Sequence, residues 1–261
     1  IHHCIGDGIA LTSVMLSITD GGVDSPRRKK RHTEEANESD WLIDLASKAV
    51  GVGASGALSS GVQAISDAAT LALMPDDSPT RLKGKPSGQK VVAWGEPMPL
   101  DRVKAIGKAL GCSVNDVLLA SVAGAMGHYL RDLGDDPTGQ EIRAMVPVNL
   151  RSLEHDWQLG NRFGLAPLVL PIGIENPIER VGAVRARMNE LKGSYQPLLT
   201  FGVLAVAGLL TQPMQDALLG LFSRKTTAVI TNVPGPTTPL MFCGAKLRQL
   251  MFWVPASGDV G

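Results

Sequence analysis

SVNDVLLASVAGAMGHYLRDLGDDPTGQEIRAMVPVN, residues 113–149, changes its period partway along, and that change decides the class of fold. Its first part carries Val114, Val117, Leu118, Val122, Ala125, Met126 and Tyr129 along one helical stripe. Its last part, IRAMVPVN at 142–149, is a short apolar run rich in β-branched residues, the pattern of a strand. Ser113 and Asp116 stand at i and i+3 where the helix starts. Ser113 therefore caps the helix and Asp116 answers it, a looser variant of the Ser-x-x-Glu box. That capping role is the plain structural reading of Asn115 and Asp116.

The same alternation extends outward in both directions. Downstream, strands are expected at LAPLVLPI (165–172), AVITNV (228–233) and LRQLMFWV (247–254). A helix opens at NPIER, with Asn176 as cap, Pro177 in the first turn and Glu179 completing the box. Upstream, VVAW (91–94) reads as a strand. DRVKAIGKALG reads as a helix capped by Asp101, with Val103, Ile106 and Leu110 on one face and Gly111 as its stop. Strands alternating with helices give an α/β class.

Composition narrows the function. The chain has 261 residues and is 44% hydrophobic, enough for a sizeable core, and 25 basic residues balance 25 acidic ones. That balance supplies no electrostatic reason to bind nucleic acid, and 4% aromatics leave few base-stacking platforms. Cys4, Cys112 and Cys243 are odd in number and widely spaced, which suggests neither a disulfide framework nor a zinc knuckle and fits a reducing cytoplasm. No run reaches the ~18–20 apolar residues needed to span a bilayer as a helix. The nearest is LLTFGVLAVAGLL, 198–210, read as a buried helix ahead of a segment lying at a membrane surface. Residues 21–40, GGVDSPRRKKRHTEEANESD, read as a solvated linker with a basic block at Arg27–Arg31.

HHCIGDG, residues 2–8, crowds two histidines, an acid and two glycines together. In an extended segment His2 and His3 point to opposite faces, so one faces a reaction and the other the interior. A neutral imidazole accepts a proton near pH 7, which makes histidine the commonest general base. Asp7 either orients that imidazole or anchors the loop, and Gly6 and Gly8 permit turns. Ile9, Leu11, Val14, Met15 and Ile18 follow at near-helical spacing, so the cluster sits on a loop entering a helix. Paired histidines are also often structural. A metal site is disfavoured, because adjacent histidines lack the H-x-x-x-H spacing that puts two imidazoles on one helix face. Cys4 reads as a small buried hydrophobe rather than a nucleophile.

HHCIGDG at 2–8, NDVLLA at 115–120, VPVNLR at 146–151, LGNRFG at 159–164 and TNVPGP at 231–236 occur in that order. Together they resemble the bacterial wax ester synthase/acyl-CoA:diacylglycerol acyltransferase family, within the wider CoA-dependent acyltransferases. The resemblance implies a chloramphenicol acetyltransferase-like sandwich of two similar halves with a tunnel between them. It also implies that this chain is truncated at both ends. Residues 1–20 are then the end of the N-terminal half, 21–90 a linker and helical connection, and 91–261 an incomplete C-terminal half. By the same resemblance His3 is the general base beside His2, Asp7 the acid holding the loop, and Gly8 the residue that lets the chain turn. Members transfer a fatty acyl group from acyl-CoA, a substrate rather than a cofactor, to a long-chain alcohol or diacylglycerol.

Within that scheme Asn115 is the candidate oxyanion donor, Asp116 is structural, and Asn232 either fixes the TNVPGP turn or faces the tunnel. Water-insoluble substrates imply a cytoplasmic enzyme attached peripherally to a membrane or lipid droplet. Two other classes stand beside it. One is a condensation-type acyltransferase using carrier-bound acyl groups, which shares the histidine motif; the other is a non-catalytic lipid-binding fragment.

Overall fold

The computed structural model describes residues 6, 8–20, 66–67, 69–71, 73–84, 89, 91–150, 161, 163–233, 235–236 and 238–251. The elements are α1 (Gly8–Ser17), α2 (Leu100–Leu110), α3 (Val114–Asp132), β1 (Ile142–Asn149), β2 (Phe163–Leu170), α4 (Pro177–Lys192), α5 (Gln196–Ala207), α6 (Gln212–Lys225), β3 (Ala228–Val229), β4 (Met241–Phe242) and β5 (Ala245–Lys246). The architecture is mixed α/β.

The central sheet has the order β2-β1-β3, with β1 antiparallel to β2 and parallel to β3. Two prolines lie inside these strands, and the register shows why they are tolerated. Met145 stands opposite Pro167 and Leu165 opposite Pro147. In an antiparallel ladder alternate pairs exchange no hydrogen bonds, so prolines confined to those pairs cost nothing on that edge. The odd-numbered residues of β1 instead turn their backbone groups to the other edge. There Thr227 N–H donates to the Arg143 carbonyl (2.9 Å) and Ile230 N–H to the Met145 carbonyl (3.0 Å). Pro147 has no N–H to offer, and the parallel ladder stops short of it.

Even-numbered strand residues face α3 and α4. Ile142, Ala144, Val146, Ala166, Leu168 and Leu170 pack there with Leu119, Ala123, Leu130, Val181, Val184 and Met188 as one core cluster. Each large side chain buried in this way contributes about 1.5–3 kcal/mol. The Arg180 guanidinium crosses between the two helices, donating to the carbonyls of Ala120 (2.8 Å) and Ile174 (2.7 Å). α5 packs against β2, and with α6 it borders a small cavity on the face carrying Met145, Leu165 and Val229.

Local signals hold where caps carry them. Ser113 Oγ accepts from Asp116 N–H (3.1 Å), and Asp116 Oδ2 accepts from Ser113 N–H (2.8 Å), the reciprocal box expected from the sequence. Asn176 caps α4 through bonds from the Ile178 and Glu179 amides, with Pro177 in the first turn. Gly111 stops α2 in the left-handed conformation.

Other expectations are corrected. Pro99, not Asp101, precedes α2, without a side-chain cap; Asp101 lies in the first turn. Residues 91–94 form exposed irregular chain rather than a strand, because no neighbouring strand lies against them among the described residues. β2 starts and ends two residues before the expected strand, and the strand expected over 228–233 is confined to Ala228–Val229. Residues 247–251 are irregular, and the rest of that expected strand lies outside the described residues; a short hairpin, β4–β5, precedes it instead. The run 198–210 is only partly buried: Thr200 is 3% exposed, whereas Leu209 is 88% exposed. The linker over 21–40 lies outside the described residues.

Candidate active site

His2, His3 and Asp7 lie outside the described residues, so their geometry is not stated. The helix they lead into is described. Gly8 opens α1, and the Thr12 hydroxyl donates back to its carbonyl (2.7 Å). Ala10 and Leu16 are fully buried along one side of this helix. A Cβ on Gly8 would lie 3.4 Å from Val233 Cγ2, so the helix start sits directly against the TNVPGP segment. Two motifs more than two hundred positions apart in sequence therefore meet at one place. Asn232, next to Val233, is exposed.

Asn115 and Asp116 occupy the first turn of α3. Because Ser113 and Asp116 complete the box between themselves, Asn115 is not part of the cap. Its side chain is half-buried and makes no hydrogen bond among the described residues. Asp116 is 4% exposed, and its Oδ1 has no hydrogen-bond partner among the described residues. Burial pushes the neighbouring Cys112 thiol up, with the Asp116 carboxylate acting the same way and Arg185 opposing it. A thiol held in that state is a poor nucleophile.

Further residues gain importance only in three dimensions. Gly164, the last residue of LGNRFG, lies where any Cβ would come 1.8 Å from the Pro197 carbonyl oxygen. Only glycine lets α5 sit this close on β2. Thr200, a turn further along α5, donates its hydroxyl to the Leu165 carbonyl (2.6 Å) and accepts from the Leu165 N–H (3.1 Å). Its side chain thus serves the outer edge of β2 as a neighbouring strand would. Between this helix, α6 and the sheet lies a cavity of about 100 Å³, lined by Met145, Leu165, Leu204, Phe222 and Val229 with Thr200 at its wall. The walls are mostly apolar, so it suits aliphatic rather than charged groups.

At the other end of β1, Asp77 plays the matching role. Its carboxylate accepts from Arg143 N–H (3.0 Å), Ser78 N–H (2.9 Å) and the Thr227 hydroxyl (2.6 Å) where β3 has not yet begun. Lys83 donates to the Thr226 carbonyl (3.2 Å), and burial holds its ammonium below the usual lysine range. None of these contacts is signalled by a local sequence pattern.

Comparison with known proteins places the chain. Residues 1–118 match the wax ester synthase/diacylglycerol acyltransferase catalytic domain, and residues 159–261 match the C-terminal domain of the same family. The chain belongs to the wax ester synthase/diacylglycerol acyltransferase family. A Mycobacterium tuberculosis protein named probable diacylglycerol O-acyltransferase tgs1 is 28% identical over 96% of this chain and 56% of its own length. Another from that organism, named probable diacylglycerol O-acyltransferase tgs2, is 36% identical over 57% of this chain and 33% of its own. The chain thus spans about half the length of the curated relatives it matches. Among solved structures, a wax ester synthase/diacylglycerol acyltransferase from Marinobacter aquaeolei aligns with a TM-score of 0.43 and 27% identity, covering 57% of this chain and 33% of its own. The first condensation domain of the CDA synthetase aligns at 0.42 and 17%, covering 94% and 48%.

Proposed function

We propose that the protein is an O-acyltransferase that moves a fatty acyl group from acyl-CoA to a long-chain alcohol or a diacylglycerol, with His3 as general base. The observation that supports this best is the meeting of Gly8, at the end of the histidine motif, with Val233 of TNVPGP, in a chain whose two ends match the family's two domains. The apolar cavity beneath α5 and α6 adds room for part of an aliphatic chain.

The alcohol O–H proton passes to the His3 imidazole as its oxygen bonds to the thioester carbonyl carbon. The tetrahedral intermediate then collapses, the C–S bond breaks, and the imidazolium returns the proton to the departing sulfur. No acyl-enzyme forms. A positioned base contributes about 10²–10⁴ in rate. Stabilisation of the oxyanion falls to Asn115, whose amide is not engaged in the cap, and alignment of the two substrates provides much of the remainder. Asp7 holds the histidine loop.

The acceptor and product are water-insoluble, so the enzyme works at a membrane or lipid-droplet surface from the cytoplasmic side. Residues 193–215 carry no charged side chain, and within them Leu209 (88%) and Met214 (53%) are exposed. Among the described residues no single helix is long and apolar enough to cross a membrane.

The test is ester formation from radiolabelled palmitoyl-CoA with hexadecanol or dioleoylglycerol, using the full-length gene product. His3→Ala abolishes ester formation, while Cys4→Ala retains it. Near-normal turnover in His3→Ala overturns the assignment. Turnover with carrier-protein thioesters but not CoA thioesters replaces it with a condensation-type reaction, and lipid binding without turnover with a binding role.

A further inference from the structure

The helix that follows the histidine motif is fastened at both ends to one stretch of chain. Its start rests on Val233, as described. Its far end runs through Thr19, whose hydroxyl donates to the Leu16 carbonyl (2.6 Å), into Asp20. Asp20 N–H donates to the Met241 carbonyl (2.8 Å). Its carboxylate accepts from Cys243 N–H at Oδ1 (2.9 Å) and from Gly244 N–H at Oδ2 (2.7 Å). Cys243 and Gly244 form the turn between β4 and β5, with φ of 50° and 78°.

Both turn residues in the left-handed region make a two-residue I′ hairpin, in which Asn or Asp usually precedes the glycine. Cysteine has no such preference for that conformation, and needs support from outside the turn. Successive backbone N–H groups presented in this way form a small anion cradle. Asp20 fills that cradle. The turn is thereby held in its left-handed form, and α1 is tied at its start to Val233 and at its far end to Met241, Cys243 and Gly244.

We propose that Asp20 is a positioning residue for the start of α1: by gripping the Cys243–Gly244 turn it fixes how Gly8, the last residue of the histidine motif, sits against Val233 of TNVPGP. Its kinetic consequence rests on the reading of His3 as general base. Releasing the far end lets the helix pivot about the Gly8–Val233 contact, and a shift of about 1 Å in a reacting group costs up to ~10²-fold in rate.

The test compares Asp20→Ala, Asp20→Asn and Gly244→Ala in the full-length protein. In Asp20→Ala, kcat for ester formation falls by about ten- to a hundred-fold while the KM for palmitoyl-CoA is unchanged. Asp20→Asn recovers part of the loss, because its amide oxygen still accepts one of the two N–H groups. Gly244→Ala, strained at φ 78°, reproduces the Asp20→Ala effect. A second readout needs no turnover: the rate of His3 carbethoxylation by diethyl pyrocarbonate at fixed pH, followed by mass spectrometry, changes in Asp20→Ala while that of the exposed His128 does not.

Unchanged kcat in a folded Asp20→Ala protein overturns the proposal. So does a kcat loss that tracks the folded fraction while His3 reactivity stays as in wild type. If the wild type makes no ester but His3 reactivity still shifts, the proposed reaction fails and the positioning role stands.

Discussion

Thr200→Val separates the hydroxyl of Thr200 from its bulk. The two side chains have nearly the same shape, so packing is kept, but the bonds to the Leu165 carbonyl (2.6 Å) and from the Leu165 N–H (3.1 Å) are lost. Thr200 is 3% exposed, and Leu165 turns these groups away from β1, so no backbone partner replaces it. A buried polar group left unmade costs about 1–3 kcal/mol. Two such groups give a loss of about 2–4 kcal/mol, the lower end applying if water enters the adjoining cavity. For a domain of this size that is a fall in Tm of about 5–15 °C. Urea and thermal unfolding of the full-length protein, followed by tryptophan fluorescence, measure it, with Thr200→Ser as the control that keeps the hydroxyl. The reasoning fails if Val lies within about 0.5 kcal/mol of wild type, or if Ser is the more destabilised of the two.

Gly164→Ala forces the new methyl into the Pro197 backbone carbonyl, so α5 must lift from β2; we expect a loss of at least about 1–3 kcal/mol in unfolding experiments, and a stable Ala variant would contradict the close approach. Asp77→Ala leaves the Arg143 N–H and Thr227 hydroxyl without their acceptor, so about 2–4 kcal/mol is lost, much of it regained in Asp77→Asn, read by the same unfolding midpoints. Cys112, its thiol raised by burial and then by Asp116, is alkylated by iodoacetamide only at a pH above that of a free thiol. In Asp116→Asn the negative charge opposing the thiolate is gone, so the midpoint moves to lower pH; an unmoved midpoint in pH-dependent mass spectrometry contradicts the electrostatic part of this account.

What could be read from the sequence alone is what short-range interactions fix. The Ser113–Asp116 box and the Asn176 cap each span a single helical turn and are present, but Glu179 completes no box: its carboxylate meets the Asn176 side-chain amide (3.4 Å) and not the Asn176 N–H. The bounds of β1 follow from its own apolar run, and α1 from the spacing after Gly8. The family follows from the order of five motifs, each legible without coordinates.

Everything that depends on a distant partner was decided by the tertiary structure. VVAW at 91–94 has the composition of a strand, but backbone groups form a strand only against another strand, and here the segment is exposed irregular chain. The β4–β5 hairpin carries no signal in the sequence, because its turn is Cys243-Gly244, without the Asn or Asp that marks an I′ turn. A threonine doing the work of a strand edge, a glycine under a distant carbonyl and an aspartate gripping a remote turn look in sequence like any other threonine, glycine or aspartate. Caps are encoded within a few residues because a helix must satisfy its own backbone, whereas the face it buries is set by its partners: α3 buries Leu119, Ala123 and Leu130 and leaves Leu118 and Tyr129 of the expected stripe exposed. Contacts such as Gly8 with Val233 carry no local signature, since their energy exists only once the chain has closed the loop between them.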